Sequence, residues 1–268
     1  AVTLLGVCVT GATYEARQPR PEIYGVREVA ENLYMLGNDP AIPGMQTGGN
    51  TAMFVTGVGV TLVDTKLEGY GQDILALVAS VTDNPVTTII NTHTHYDHTG
   101  SNTGFPDTVD FVVHENTFAQ LSRASCEPVT NCDAFKGENS SYLPRITYSQ
   151  RTSLFTGNDQ IDLYYFGRGH TDGDTFVVFK AARAMHTGDM FQRKGLPFID
   201  VVNGNGSAVE FGSTLSKAVA GIDEVDTVIS GHHTEPVTWD DFVNFSGFFN
   251  DLIEKAQSGI ANGQNSQQ

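Results

Sequence analysis

The chain of 268 residues has no apolar stretch long enough to cross a membrane as a helix, which takes about 20 consecutive residues. It is also poor in positive charge. Its 15 Lys and Arg stand against 31 Asp and Glu, a formal charge of −16. Such a field repels phosphate backbones and anionic lipid, which argues against a nucleic-acid partner and against docking on an acidic membrane. Cysteine is scarce. Cys126 and Cys132 lie six positions apart beside Pro128 and Asn131, close enough to bridge if the loop folds back. With Cys8 left over, the count of three decides little about redox compartment.

What is present is an ordinary globular composition, 40% hydrophobic and 17% charged, with enough apolar residues for a sizeable core. The start, Ala1 to Val9, is short and apolar and reads either as the tail of an export signal or as an edge strand. Leu5-Gly6-Val7 ahead of Cys8 is a poor lipobox, and an exported location is the preferred expectation. There is no short-period repeat and no linker. The expected division is an N-terminal arm over 1–21, one domain over 22–257, and a polar, disordered tail over 258–268.

Apolar alternation predicts strands over 26–29, 33–36, 51–56, 60–64, 86–91 and 109–113. Further strands are expected over 161–166, 175–180, 183–186 and 226–230. Ile74, Leu75, Leu77, Val78 and Val81 have helical spacing, and helices are also expected over 115–125, 209–222 and 240–255. Segment 126–150 is polar and reads as an irregular insertion. Hairpin strands followed by strands alternating with helices, twice over, predict an α/β fold: two mixed sheets packed face to face with helices on both outer faces.

The feature that says most about function is His93-Thr94-His95-Tyr96-Asp97-His98. Four side chains able to bind metal fall within six positions, just past a β-branched strand that can aim them at one point. Neutral imidazole and carboxylate are the donors that suit zinc and similar divalent ions. A tag or a solvated His-rich tract would sit at a terminus and would not follow a buried strand. Three later strand ends carry more of the same chemistry: Gly169-His170, Thr187-Gly188-Asp189 and Gly231-His232. A single strand-end His is usually a hydrogen-bonded structural residue; three more beside the first cluster point to a shared edge where a site forms.

His-x-His-x-Asp-His, then Gly-His, Thr-Gly-Asp and Gly-His in that order, resembles the metallo-β-lactamase superfamily. The resemblance runs from about Asn32 to Trp239 and includes Leu62-Val63-Asp64-Thr65, similar to that family's strand-end Asp. It implies an αββα sandwich with the site at one edge. It implies one ion on His93, His95 and His170, a second on Asp97, His98 and His232, and Asp189 bridging both. It implies two zinc ions, with iron or manganese as alternatives, and hydrolysis of a small lactone, ester, amide or lactam by a metal-bridging hydroxide, with Asp97 able to orient it. Asp64 is either an acceptor fixing a ligand imidazole or a strand-terminating residue. His114, His186 and His233 match no ligand position and read as structural or as supports.

Lactamases with a cysteine ligand place it where this chain has Asp189, so the resemblance excludes those classes. The full ligand set is similar to that of glyoxalase II enzymes, acyl-homoserine lactonases and ribonuclease Z-type nucleases, and the charge argues against the nucleases. β-Lactam hydrolysis, a single-iron dioxygenase and a non-catalytic metal-binding protein are the alternatives. Loop 37–50 reads as a flap whose Ile42 and Met45 pack on an apolar part of a small-molecule substrate, or as a plain hairpin connection. Arg193 and Lys194, just past Asp189, read as anchors for a substrate carboxylate or as solvated charges.

Overall fold

The computed structural model describes residues 20–44, 46–126 and 128–265. The expected arm, apart from Arg20 and Pro21, lies outside them, as do Cys8 and Met45. Two sheets form the molecule. The first is β1 (Tyr24–Ala30), β2 (Leu33–Gly37), β3 (Thr51–Thr56), β4 (Gly59–Val63), β5 (Val86–Ile90), β6 (Asp110–His114) and β7 (Ile146–Tyr148), paired in that order. Its hairpin strands are antiparallel, and β4 to β7 run parallel. The second is β8 (Arg151–Leu154), β9 (Ile161–Tyr164), β10 (Phe176–Phe179), β11 (Ala184–His186), β12 (Thr227–Ile229) and β13 (Val237–Thr238), also neighbours in sequence order. Only β11 and β12 are parallel there.

Side-chain alternation assigns each face. Ala52, Phe54, Val63 and Ile90 of the first sheet meet Leu163, Val177, Phe179 and Ile229 of the second in the central core. Their neighbours Met53, Leu62 and Ile89 turn outward onto α1 (Gly71–Ala79), where Ile74 and Val78 are buried one turn apart. Phe176, Val178, Met185 and Val228 turn outward from the second sheet onto α4 (Ala208–Gly221) and α5 (Trp239–Ala261). Phe242, Phe245 and Phe249 lie at i, i+3 and i+7 on α5, a spacing that makes one apolar stripe. With both faces of each sheet covered, the strands read as nearly continuous apolar runs. The αββα arrangement expected from element order is the one observed.

Several boundaries differ. The helix expected over 115–125 is α3 (Glu115–Leu121); it stops at Ser122, ahead of a disulfide joining Cys126 and Cys132. Segment 126–150 is not wholly irregular, since β7 closes the edge of the first sheet. The last helix runs beyond 255 to Ala261, four residues into the expected tail, and ends where Gly263 turns to φ +75°. A capping box between Thr238 and Asp241 starts it. No helix among the described residues is long and apolar enough to cross a membrane.

Candidate metal centre

Strand direction explains why the metal-binding residue types meet. β4 and β5 are parallel, so Asp64 and His93 leave the same edge of the first sheet. β9 and β11 both run against β10, and β12 runs with β11, so His170, Asp189 and His232 leave one edge of the second sheet. After β5 the chain makes the four-residue helix α2 (Tyr96–Thr99), which carries Asp97 and His98.

The donor atoms form three groups, each within 4.8 Å: His93, His95 and His170; His93, His98 and Asp189; and Asp97, His98 and His232. His170 Nε2 lies 3.2 Å from His93 Nε2 and 2.9 Å from His95 Nδ1, and the latter two are 3.1 Å apart. Asp97 Oδ2 lies 3.2 Å from His232 Nε2 and 3.5 Å from His98 Nε2. Asp189 faces both sides. Its Oδ1 is 3.4 Å from His98 Nε2 and 3.3 Å from His232 Nε2, and its Oδ2 is 3.6 Å from His170 Nε2.

The far nitrogen of four imidazoles has a fixed partner. His93 Nδ1 donates to Thr92 Oγ1 at 2.9 Å, and that hydroxyl donates to Asp64 Oδ2 at 2.7 Å. His98 Nδ1 donates to the same Asp64 oxygen at 2.7 Å. His170 Nδ1 donates to the Phe198 carbonyl at 2.7 Å, and His95 Nε2 donates to Asp200 Oδ2 at 2.9 Å. These bonds turn the lone pairs of His93 Nε2, His95 Nδ1 and His170 Nε2 toward one point.

Electrostatics divides the centre in two. Burial, together with the neighbouring imidazoles, holds His93 well below the usual histidine range, and burial pushes His170 down to about 4. Both are neutral donors at physiological pH. Burial would lower His98 and His232 too, but Asp97, Asp189 and Asp64 hold His98 well above its usual range. Asp189 and Asp97 lift His232 to about 9. Asp189 is itself held well below the carboxylate range, because His232, His98 and His170 outweigh its burial. The carboxylate side of the centre thus draws positive charge strongly.

The residues fit a pair of divalent cations. Zinc with nitrogen or oxygen donors at about 2.0–2.2 Å places the donors of a tetrahedron roughly 3.3 Å apart, close to the separations above. Asp189 Oδ1, which faces the donor groups, is buried and has no hydrogen-bond partner among the described residues. Backbone is packed tightly round the donors: a Cβ at Gly231 would fall 1.9 Å from Asp189 Oδ1, and one at Gly49 would fall 2.3 Å from the His98 ring.

All seven ligand candidates named from the sequence come together here. Asp64 supports His98 rather than merely ending a strand. His186 bonds the Asn50 carbonyl and the Gly188 amide, His114 caps α3, and His233 bonds Glu235. Ile42 and Arg193 share a cleft of about 190 Å³ with His232 and Gln192. Lys194 is not a member of that cleft. It pairs with Asp241 of α5 at 2.8 Å.

Three contributors escaped sequence reasoning. Asp200 sits in a Gly/Asn-rich loop, and nothing in the sequence ties it to His95, 105 positions away. Gln192 donates to Asp189 Oδ2 at 2.7 Å; its place three residues past Asp189 was the available signal. Lys66 is wholly buried, with Nζ 2.9 Å from the Gly49 carbonyl. Burial draws its pKa down to about 7 against the pull of Asp64 and Asp97.

Comparison with known proteins gives one consistent result. The family model described as "Metallo-beta-lactamase superfamily" matches residues 45–232. A metallo-beta-lactamase from Pontibacter korlensis superposes with a TM-score of 0.65 at 17% identity, covering 84% of this chain and 98% of that one. DIM-1 metallo-beta-lactamase superposes with a TM-score of 0.65 at 18% identity, covering 87% and 99%. TMB-1 gives 0.65 at 18%, covering 88% and 99%. No curated protein matches the chain.

Proposed function

The chain belongs to the metallo-beta-lactamase superfamily, and from that premise we propose that it is a dinuclear zinc hydrolase of a small lactone, ester or amide. His93, His95 and His170 would hold one ion, Asp97, His98 and His232 the other, and Asp189 would bridge them. The observation that carries this reading is Asp189, whose two oxygens face different donor groups. Bound there, such a pair supplies Lewis acidity toward the carbonyl oxygen and a nucleophile at neutral pH.

The chain's own residues do the rest. Thr92, Asp64, Asp200 and the Phe198 carbonyl fix four imidazoles in orientation, which removes reorganisation from the reaction. Asp97 stays ionised below the usual carboxylate range, since His98 and His232 outweigh its burial, and it serves as the acceptor that orients the attacking water. Arg193 makes no hydrogen bond or ion pair among the described residues, and its place in the cleft beside His232 suits a substrate carboxylate.

β-Lactam hydrolysis is the second reading, favoured by neighbours that are themselves metallo-beta-lactamases. Metal analysis and a chromogenic panel of lactam, lactone, thioester and phosphodiester substrates test both. Two equivalents of zinc, with turnover lost on chelation, are expected. A single iron with oxygen consumption would overturn the proposal, and preference for the lactam over the lactone would select the second reading. Arg193→Ala should raise KM for a carboxylate-bearing substrate; an unchanged KM removes Arg193 from substrate binding.

A further inference from the structure

The end of β9 carries three aromatic residues in a row, Tyr164-Tyr165-Phe166, that the metal centre does not use. Only Tyr164 belongs to the strand. Beside them, between α3 and the residues joining β7 to β8, lies a cleft of about 640 Å³. None of its lining residues belongs to the donor groups. Its floor is fixed. His114 Nε2 donates to the Ser149 carbonyl at 2.8 Å, and His114 Nδ1 accepts from the Asn116 amide at 3.2 Å. The His114 ring stacks on Tyr165 with centroids 3.9 Å apart, and the Tyr165 amide donates to the Gln150 carbonyl at 2.8 Å. The Arg151 guanidinium lies 4.7 Å over the Tyr164 ring and is held by buried Asp162 at 2.9 Å. A floor ordered in advance loses little freedom when a ligand arrives.

The rim has hydrogen-bonding capacity left over. The Glu115 carboxylate, the Gln150 side-chain amide and the Tyr165 hydroxyl make no hydrogen bond or ion pair among the described residues. Asn116 gives its side-chain N–H to the Asp172 carbonyl and Arg151 gives one nitrogen to Asp162, which leaves Asn116 Oδ1, Arg151 Nη1 and Arg151 Nε without a partner there. Polar side chains at a surface ordinarily meet water, and such a rim alone would mean little. Here they converge on one cleft beside the partly exposed rings of Tyr165 and Phe166, and aromatic walls with a few placed polar groups are the make-up of a small-molecule site. Charge narrows the ligand. Arg151 is matched by Asp162, so Glu115 leaves one negative charge in the cleft of a chain at −16, which turns anions away. The guanidinium on the other wall turns organic cations away. Acceptors and N–H donors for hydroxyl groups, with ring faces for C–H groups, suit a neutral ring that carries hydroxyls on its edge and C–H bonds on its faces. We infer that this cleft is a carbohydrate-binding site for a mono- or disaccharide unit, separate from the metal centre.

The test titrates the full chain with cellobiose, maltose, lactose and N,N′-diacetylchitobiose by calorimetry, while NMR follows the amide of Gly167, which lines the cleft. At least one sugar should bind with a Kd of about 0.1–1 mM and shift the Gly167 resonance. Glu115→Ala, Gln150→Ala and Tyr165→Phe each remove a group that has no partner, so Tm should hold while the Kd for that sugar rises about tenfold, the loss of one hydrogen bond. Tyr165→Phe also keeps the ring that stacks on His114. Failure of all four sugars to bind would overturn the inference. Binding that leaves Gly167 unshifted, or that survives in all three variants, would do the same, as would a tighter hold on acetate or tetramethylammonium than on any sugar. Zinc-free and zinc-loaded protein should bind the sugar alike, so failure of the proposed hydrolase leaves this site standing; a sugar held only by the zinc-loaded protein would move it to the metal centre and overturn the cleft.

Discussion

Asp64 adopts φ +63°, a left-handed conformation that aspartate tolerates better than most residues. From there its carboxylate accepts from the Thr92 amide, the Thr92 hydroxyl and His98 Nδ1. Asp64→Asn should weaken metal binding on the His98 side by about 10–100-fold; competition with a chromophoric chelator would measure it, and unaltered affinity would refute the orienting role. Asp162 is the structural counterpart. Burial would raise its pKa, but hydrogen bonds from Ser153, Gln160 and Arg151 outweigh burial and lower it from 3.8. Its contribution is therefore complete above the ordinary value and lost as pH falls through the lower folded value. Asp162→Asn should cost about 2 kcal/mol at neutral pH and progressively less in acid, a difference that urea titrations at several pH values would resolve. The sequence could name Asp64 by its place after a strand, but it carried no sign of Asp162 or Asp200, whose partners are set only when loops fold.

The stretch between the cysteines acts as an added support for α2. The Val129 carbonyl accepts from the Tyr96 amide at 3.0 Å, the Asn131 amide donates to Thr94 at 3.3 Å, and the Asn131 side chain reaches Thr99 at 3.0 Å. Val129 sits at φ +69°, an outlier for a β-branched residue that the short closed loop holds in place. Replacing both cysteines by alanine should cost about 2 kcal/mol, the loop-closure value for so short a loop. It should also speed hydrogen exchange at the Tyr96 amide and weaken zinc binding by His95. If exchange at Tyr96 is unchanged, the loop does not support the histidine helix. The spacing of Cys126 and Cys132 allowed a bridge without deciding it, because closure depends on how the loop folds back, and nothing in the sequence signalled the pairing of this stretch with Thr94 and Tyr96. β7 and β8 escaped for a related reason: three or four residues, the latter reading Arg-Thr-Ser-Leu, are too few and too polar for alternation to register.

The two-sheet architecture was legible because both faces of each sheet are covered, which writes long apolar runs into β3, β4, β5 and β10. The site was legible because its histidines and acids recur in a fixed order at strand ends. What no order could give is that each donor group draws on both sheets. His93, His95, Asp97 and His98 follow β5, whereas His170, Asp189 and His232 follow strands of the second sheet. Ions bound there would join the sheets across their open edge. Zinc at about a hundred times its dissociation constant should raise unfolding stability by about 2.7 kcal/mol, read as a higher Tm that a chelator reverses; a Tm indifferent to zinc would contradict the assignment of these donors.

If the proposed ions bind, the place of Asp189 between the donor groups has a consequence for biosynthesis. A nascent chain released before residue 170 carries histidines but no complete donor group, and one that ends before residue 232 lacks His232 from the group on the carboxylate side. Metal would then be retained in full only by molecules whose two sheets have docked. Zinc per polypeptide would then serve as a census of correctly assembled chains in any preparation.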